Sequence, residues 1–247
     1  MSIRELYVSP DAASALRAEA ARLPAWTLDA QQEGELRLLL NGGLAPLRGY
    51  MTEADHRTVS DGAVAPWPVP LALQVGADFA ERVQPGDDIA LRTADGDIRA
   101  VMSVTDRWGD PVLLGGRVKG LDRPAGGVAP NDLHALFRDR GIARVLAVQP
   151  RHADQIAPAA RLAGQLDAML LVQPLPGVIV QPFADAIVAP LPVSRPQGPR
   201  SVLWQGCVAR NHGATHLVLD GDAAARELYR RYQDDIGVRM VVPDGMA

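Results

Sequence analysis

The apolar positions of this chain change rhythm twice. Between residues 10 and 40 they recur at helical spacing, in two stretches on either side of Pro24. The first, from Asp11 to Leu23, is Ala-rich and follows a Ser9-Pro10-Asp11 start signal. The second runs from Glu33 to Leu40 and places Leu36, Leu39 and Leu40 on one face. Asn41-Gly42-Gly43 stops it, because Asn and Gly tolerate the left-handed conformation. From residue 66 to 120 the apolar runs shorten to Val69–Val75, Asp88–Arg92, Ile98–Val104 and Val112–Leu114. Turn signals separate them, among them Gln84-Pro85-Gly86-Asp87 and Ala94-Asp95-Gly96-Asp97. This is the pattern of hairpins and predicts a small β-rich, barrel-like domain.

The second change follows a Gly/Pro-rich stretch from Leu121 to Pro130, which divides the chain into domains at 1–122 and 130–247. Beyond it strands alternate with helices. Helices are expected over 131–140, 153–166, 201–211 and 223–233, and strands over 144–148, 168–172, 215–219 and 238–242. Pro158 falls inside or near the first turn of its helix, where proline is tolerated. Such alternation predicts a parallel α/β sheet with ligands at the carboxyl ends of its strands. The proline-rich residues 173–200 read as an irregular loop across the sheet's edge.

Composition narrows the function classes. The 247 residues are 47% hydrophobic and 22% charged, with a net charge of −4, so the chain has the make-up of a folded globular protein and not of a disordered one. No run of about eighteen apolar residues occurs, so no membrane span is expected. The start Met1-Ser2-Ile3-Arg4-Glu5 has no apolar core, so no signal peptide is expected either. The single cysteine, Cys207, excludes an intramolecular disulfide and a cysteine cluster, and reads as a small buried apolar residue. A reducing cytoplasm is the expected compartment. The slight acidity argues against a nucleic-acid binder, which would carry a basic excess.

Chemistry is concentrated at two strand ends. The strand at 144–148 runs into Gln149-Pro150-Arg151-His152. Arg offers a planar fork of donors for sulfate, phosphate or carboxylate. Gln adds a neutral donor, and the next helix N-terminus adds a positive dipole end. The same residues also fit a surface arginine in a turn, and spacing alone leaves both readings open. The other strand end is Leu219-Asp220-Gly221-Asp222. Its carboxylates either hold Mg²⁺ through water or form a tight turn in which Asp222 caps the next helix, and the pattern favours the cap. His216, within a strand, reads as a hydrogen-bonded core residue. Arg210-Asn211-His212-Gly213 closes a helix. Asp55-His56 reads as a solvated pair. A Gly-rich phosphate loop and a nucleophile elbow are both absent from the sequence.

Several segments, in the same order along the chain, resemble the ATP sulfurylases (sulfate adenylyltransferases). Leu38 to Met51, reading LLLNGGLAPLRGYM, is similar to that family's LLLNGGFSPLxGFM. Leu114 to Val118 resembles the stretch before its linker, and Gln149-Pro150-Arg151 resembles the start of its QxRN motif. Gly198-Pro199-Arg200 through Ala209-Arg210-Asn211-His212-Gly213-Ala214-Thr215-His216 resembles GPREA…RKNYGATH. The resemblance implies an α/β fold class, with a PUA-like β-rich N-terminal domain and a Rossmann-like nucleotidyltransferase domain built on a parallel sheet. It implies a reaction in which sulfate attacks the α-phosphorus of MgATP to give adenylyl sulfate and pyrophosphate. It also implies a homo-oligomer, or a partner enzyme of sulfur metabolism. On this resemblance Arg151 and His152 are the catalytic candidates. Gln149, Arg151, Gln155, Asn211 and His216 are the candidates for holding the anion. Arg200, Asp220, Gly221 and Asp222 are the candidates for holding the nucleotide. No metal ligand is assigned; MgATP or adenylyl sulfate is the small molecule implied, and no other cofactor follows from the residues.

The departures from the family pattern fall in the site. QTRNPxHxxHE is replaced by QPRHADQIAPA. Without a gap the two family histidines fall on Gln155 and Pro158. With three residues deleted after Arg151, they fall on His152 and Gln155, and the distance to the next strand favours the deletion. At least one histidine is lost either way. The family's GRDH aligns with Asp220-Gly221-Asp222-Ala223, without its Arg and His. A stretch near 173–197 and the family's last α/β subdomain are expected to be missing. Since adenylyl transfer is mostly positioning and charge stabilisation, and one lost donor costs about 10²–10³ in rate, the expected function is binding of a nucleotide or oxyanion with adenylyl transfer lost or strongly reduced. The alternatives are a diverged enzyme acting through Gln149, Arg151 and His152, and a non-binding interaction module.

Overall fold

A computed structural model of the chain describes residues 3–65, 67–124, 128–181, 185–219 and 221–242. They fall into two compact units, Arg4–Ala125 and Gly126–Ala247, the latter with residues 1–3.

The first unit is built on a six-stranded sheet with β1 (Ala25–Thr27), β4 (Asp88–Arg92), β5 (Ile98–Trp108), β6 (Val112–Gly120) and β2 (Gly49–Tyr50) in that order. β3 (Leu73–Val75) also pairs with β6. All pairings are antiparallel except β1 with β4. The two expected helices form as α1 (Pro10–Ala20) and α2 (Ala30–Leu40). Ser9 caps α1, and Asp29 with Gln32 makes a capping box on α2. At the end of α2 it is Gly42 that turns left-handed (φ +85°), while the Asn41 side chain accepts from Gly43 N. The short strand β1, between the helices, has no signal of its own; its partner Ala90 and not its own alternation fixes it. Asp55-His56 lies in a further helix, α3 (Glu53–Ser60), with Thr52 as its cap, and the short α4 (Ala77–Ala80) follows β3. Asp55 is exposed, but His56 is half-buried and meets Trp108 edge-on.

The second unit carries a five-stranded, wholly parallel sheet. Its strands, in spatial order, are β11 (Arg239–Val241), β10 (His216–Val218), β7 (Val145–Val148), β8 (Met169–Val172) and β9 (Ala186–Val188). The helices are α5 (Pro130–Asp139), α6 (Ile156–Gln165), α7 (Ser201–Asn211) and α8 (Ala223–Ile236), and a 3-10 turn, Ala153–Gln155, leads into α6. β7 is buried along its whole length and reads Val-Leu-Ala-Val, the unbroken apolar run of a central parallel strand. Against it pack Ala159 and Ala163 of α6, Leu170 and Val172 of β8, and Val218 of β10. β9 was hidden in the proline-rich stretch: Ala186-Ile187-Val188 is an edge strand, the place in a sheet where neighbouring prolines do least harm. The chain adds β8 and β9 on one side of β7, then returns to add β10 and β11 on the other. The strand order therefore reverses between β7 and β10, where an open α/β sheet forms its ligand crevice.

His212 closes α7 while fully buried, with its Nδ1–H donating to the Val208 carbonyl at 2.8 Å. Burial pushes its pKa down to about 4 from the ordinary 6.5, so the folded ring stays neutral. The unfolded chain takes up the proton first. This stabilisation is complete above pH 6.5 and is lost as pH falls towards 4. In wild type the loss of stability over that window, read from urea midpoints, is expected to exceed that of His212→Gln by up to ~3 kcal/mol. Equal slopes would exclude this origin.

Candidate functional site

Beyond the carboxyl ends of β7 and β8, the second unit encloses an open cavity of about 490 Å³. Arg151, Leu175, Arg195, Gly198 and Ser201 are in its lining, with the loop residues between 194 and 197. Two guanidinium groups thus share a cavity whose lining contains no carboxylate among the described residues. The loop into α7 turns at Gly198 (φ +89°), a backbone conformation that glycine adopts without strain, and brings the helix N-terminus to the cavity. The start of α7 and two arginines bring partial and full positive charges to the lining.

Behind the lining lies a layer of glutamines. Gln149, Gln173 and Gln205 are 1%, 0% and 1% exposed. Gln149 follows β7 and Gln173 follows β8, and the last residues of the two strands, Val148 and Val172, are in register. The Gln149 amide nitrogen donates to Gln173 Oε1 at 3.1 Å and to the Gln205 backbone carbonyl at 3.3 Å. Arg195 Nη2 donates to the backbone carbonyl of Gln149, joining the cavity wall to this layer.

The structure gathers some of the sequence candidates and separates others. Arg151 lines the cavity; His152, next to it, is exposed and outside the lining. Gln155 shapes their turn, its Oε1 accepting from the amides of Arg151 (2.6 Å) and His152 (3.3 Å). Arg200 is the N-cap residue of α7 and sits between the lining residues Gly198 and Ser201. Gly221 packs beside α8, where a Cβ would stand 2.9 Å from that of Ala225. Asp220 lies outside the described residues. Asp222 caps α8, with Oδ1 accepting from Ala225 N at 2.8 Å. Asp222→Ala is expected to cost ~1 kcal/mol, read from the urea midpoint, and to leave the response to Mg²⁺ unchanged. Among the described residues no group of His, Cys, Asp and Glu is placed to hold a metal ion.

Asn211 and His216 are not brought to the cavity. Asn211 ends α7, ~15 Å along the helix from Ser201 at a rise of ~1.5 Å per residue. Its carbonyl meets His134 Nε2 at 3.1 Å. His216 opens β10 at the amino edge of the sheet and bonds Thr215 Oγ1 through Nδ1 at 2.9 Å. Burial, with Arg239 and Arg144 nearby, lowers its pKa. Cys207 is a buried thiol whose pKa burial pushes up to about 11, so it stays protonated and unreactive. Sequence reasoning missed Arg195, Ser201, Gln173 and Gln205.

Fold and cavity together define an α/β protein with a Rossmann-like parallel sheet and a cleft lined by two arginines beyond the carboxyl ends of β7 and β8. Comparison with known proteins narrows the class. A PUA-like domain model matches residues 1–118. The sulfate adenylyltransferase of Symbiobacterium thermophilum is 29% identical over 83% of this chain and 67% of its own length. That of Eremothecium gossypii is 26% identical over 90% of this chain and 60% of its own. A hexameric APS kinase from Thiobacillus denitrificans matches in structure over 98% of this chain and 55% of its own, with 30% identity and a TM-score of 0.83. The chain is ATP-sulfurylase-like. It spans between about half and two thirds of the length of the curated relatives it matches. The alignment with the Eremothecium enzyme covers 299 positions, more than the 247 residues of this chain, so the relative carries internal stretches without a counterpart here. No helix among the described residues is long and apolar enough to cross a membrane.

Proposed function

We propose that this protein binds a tetrahedral oxyanion, or an adenine nucleotide or adenylyl sulfate bearing one, in the cavity beyond β7 and β8, with sulfate adenylyltransferase activity lost or strongly reduced. The observation that carries the reading is that Arg151 and Arg195 line one cavity at the N-terminus of α7, with no carboxylate in that lining among the described residues. Where the related family has Glu after Gly-Pro-Arg, this chain has Ser201, which removes one carboxylate from the lining. The reduced activity rests on two departures from the related motifs. The strand end before α8 offers Gly221 and Asp222, followed by three alanines, where the related motif offers an arginine and a histidine. Gln155, at the second histidine position of the gapped alignment, commits its side-chain oxygen to the turn. A transition state stabilised mainly by positioned charge loses several donors at once. The protein works in the cytoplasm in this reading and assembles as a homo-oligomer or with an enzyme of sulfur metabolism; light scattering of the purified protein tests self-assembly.

The deciding experiment pairs two measurements. Adenylyl sulfate plus pyrophosphate, read as ATP by luminescence, is expected to give no signal above a blank without protein. Millimolar adenylyl sulfate is expected to raise the melting temperature by several degrees, since a ligand stabilises the state that binds it. Turnover near that of ordinary enzymes would overturn the loss of activity. A melting temperature unmoved by sulfate, phosphate, ATP or adenylyl sulfate would leave the non-binding module as the reading. The diverged-enzyme reading is favoured by His152 standing beside Arg151; it requires a product-forming reaction that Arg151→Ala abolishes.

A further inference from the structure

The amino end of the parallel sheet, opposite the cavity, carries a second group of cationic side chains. Arg144 precedes β7, His216 opens β10 and Arg239 opens β11. Each stands two positions before a member of one hydrophobic cluster: Leu146, Val218 and Val241. Side chains two apart on a strand point to the same face. Arg144, His216 and Arg239 therefore form the outer margin of the face that packs on α6. His216 is in register with Leu146 on one side and with Arg239 on the other.

The donors of this margin are open to solvent and largely uncommitted. Arg144 and Arg239 are exposed, and His216 is half-buried. The Arg239 guanidinium makes no hydrogen bond or ion pair among the described residues. Arg144 gives Nη1 to the Leu166 carbonyl at 2.5 Å, which leaves it four of the five N–H groups of a guanidinium. His216 bonds Thr215 through Nδ1; its Nε2 has no partner and is not among the atoms enclosed by the protein. The charged groups that act on this ring are both arginines: after burial, Arg239 and then Arg144 lower its pKa. Asp167, which follows Leu166, is exposed and forms no ion pair among the described residues.

The bond to Leu166 also sets the spacing. Leu166 leads into β8, on the side of β7 away from β10. It draws the Arg144 guanidinium away from Arg239, and β7 and β11 themselves stand two strand spacings apart, ~10 Å. The cations thus form a row and not a clamp. A lone phosphate or sulfate is too small to meet both ends of the row, whereas a chain of linked phosphates carries charge along its whole length.

We propose that this margin holds a linear oligophosphate, its successive phosphate groups lying along Arg239, His216 and Arg144. Guanidinium donors at the two ends match phosphate oxygens. When the Thr215 hydroxyl donates to Nδ1, the neutral His216 ring carries its proton on Nε2 and offers it to the middle of the chain. The site is separate from the oxyanion cavity and stands whether or not that cavity binds.

The chain has five histidines, so its imidazole spectrum is sparse, and His216→Gln identifies the His216 signal. The test follows that signal in the full chain by proton–carbon correlation while inorganic triphosphate, inorganic phosphate or ATP is added at low, constant ionic strength. Triphosphate is expected to move it saturably, with a midpoint at least about fivefold below that of phosphate. Arg239→Ala removes an exposed, unbonded side chain, so it is expected to keep the wild-type urea midpoint and to raise the triphosphate midpoint about fivefold. Arg144→Gln keeps a donor for the Leu166 carbonyl while removing the charge, and is expected to act in the same direction. Arg195→Ala, in the cavity, is expected to leave the His216 midpoint unchanged. ATP matching inorganic triphosphate supports a nucleotide held by its phosphate chain; weaker ATP binding supports the inorganic chain. A His216 signal that does not move, a phosphate midpoint as low as that of triphosphate, or a midpoint unmoved by the two arginine variants overturns the proposal. So does a midpoint that Arg195→Ala raises, since the shift is then relayed from the cavity. None of these results touches the oxyanion reading of the cavity.

Discussion

Arg195→Ala is expected to weaken oxyanion binding by about 100-fold, and Arg151→Ala by about tenfold. The two guanidinium groups share one cavity, yet their settings differ. Arg151 is exposed, so water and salt screen its charge. Arg195 is half-buried and is tied to the Gln149 carbonyl. A charge-assisted hydrogen bond in such a setting contributes ~1.5–3 kcal/mol, or roughly 10–150-fold in affinity. The tie adds a second loss, since removing Arg195 leaves the buried Gln149 carbonyl without this donor and loosens the amide layer. Arg195→Lys should recover little, because an ammonium cannot reach both the carbonyl and an anion with the fixed fork of a guanidinium. Titration calorimetry with phosphate checks all three variants. Binding within threefold of wild type in Arg195→Ala would remove this residue from the site.

The α/β unit was legible because its signals are local. Each buried strand is a short apolar run, and each helix follows a Pro, Asn or Asp start. α7 forms over the residues the sequence indicated, Ser201 to Asn211. Elements held by partners rather than by their own pattern were not legible. β1 depends on β4, and β9 is a three-residue edge beside β8. The long stretch between β8 and α7 has no periodicity to read, yet it delivers Arg195 to the cavity. No local rule distinguishes that arginine from the others in the sequence.

The site was half legible for the same reason. The strand-end rule found Arg151 and Gln149. It did not find Gln173, although the clue was printed twice: Val148-Gln149-Pro150 and Val172-Gln173-Pro174 end adjacent strands with the same three residues. Parallel pairing in register turns that repeat into a contact. Asn211 and His216 were candidates because they lie in a motif-like run. Three-dimensional direction separates them from the rest. A parallel strand carries its functional residues at its carboxyl end, and a helix offers its donors at its amino end. His216 and Asn211 occupy the opposite ends of β10 and α7.

Gly206→Val is expected to destabilise the α/β unit by at least ~3 kcal/mol and to abolish anion binding with it. Gly206 lies in the middle of α7, where glycine costs ~1 kcal/mol relative to alanine in an exposed helix. Packing explains its presence. A Cβ there would stand 2.6 Å from the Tyr229 hydroxyl oxygen and 2.7–3.0 Å from two ring carbons. Tyr229 of α8 is itself fully buried and fixed by its hydroxyl, which donates to the Val238 carbonyl at 3.1 Å. The ring cannot swing away without breaking that bond, so a branched side chain must push α7 and α8 apart. Gln205, next to Gly206, holds Gln149 through its backbone carbonyl, and Ser201 stands at the end of the same helix. A shift of α7 by even an ångström therefore uncouples the amide layer and moves the helix N-terminus away from the two arginines. Urea denaturation measures the first effect, and phosphate titration below the transition measures the second. Gly206→Ala separates the contributions, since its single methyl gains helix propensity and makes only the clash: it should remain folded, less stable than wild type, with weakened binding. A Gly206→Ala protein more stable than wild type would show that α8 yields easily, and that the close approach of the two helices does not set the geometry of the site.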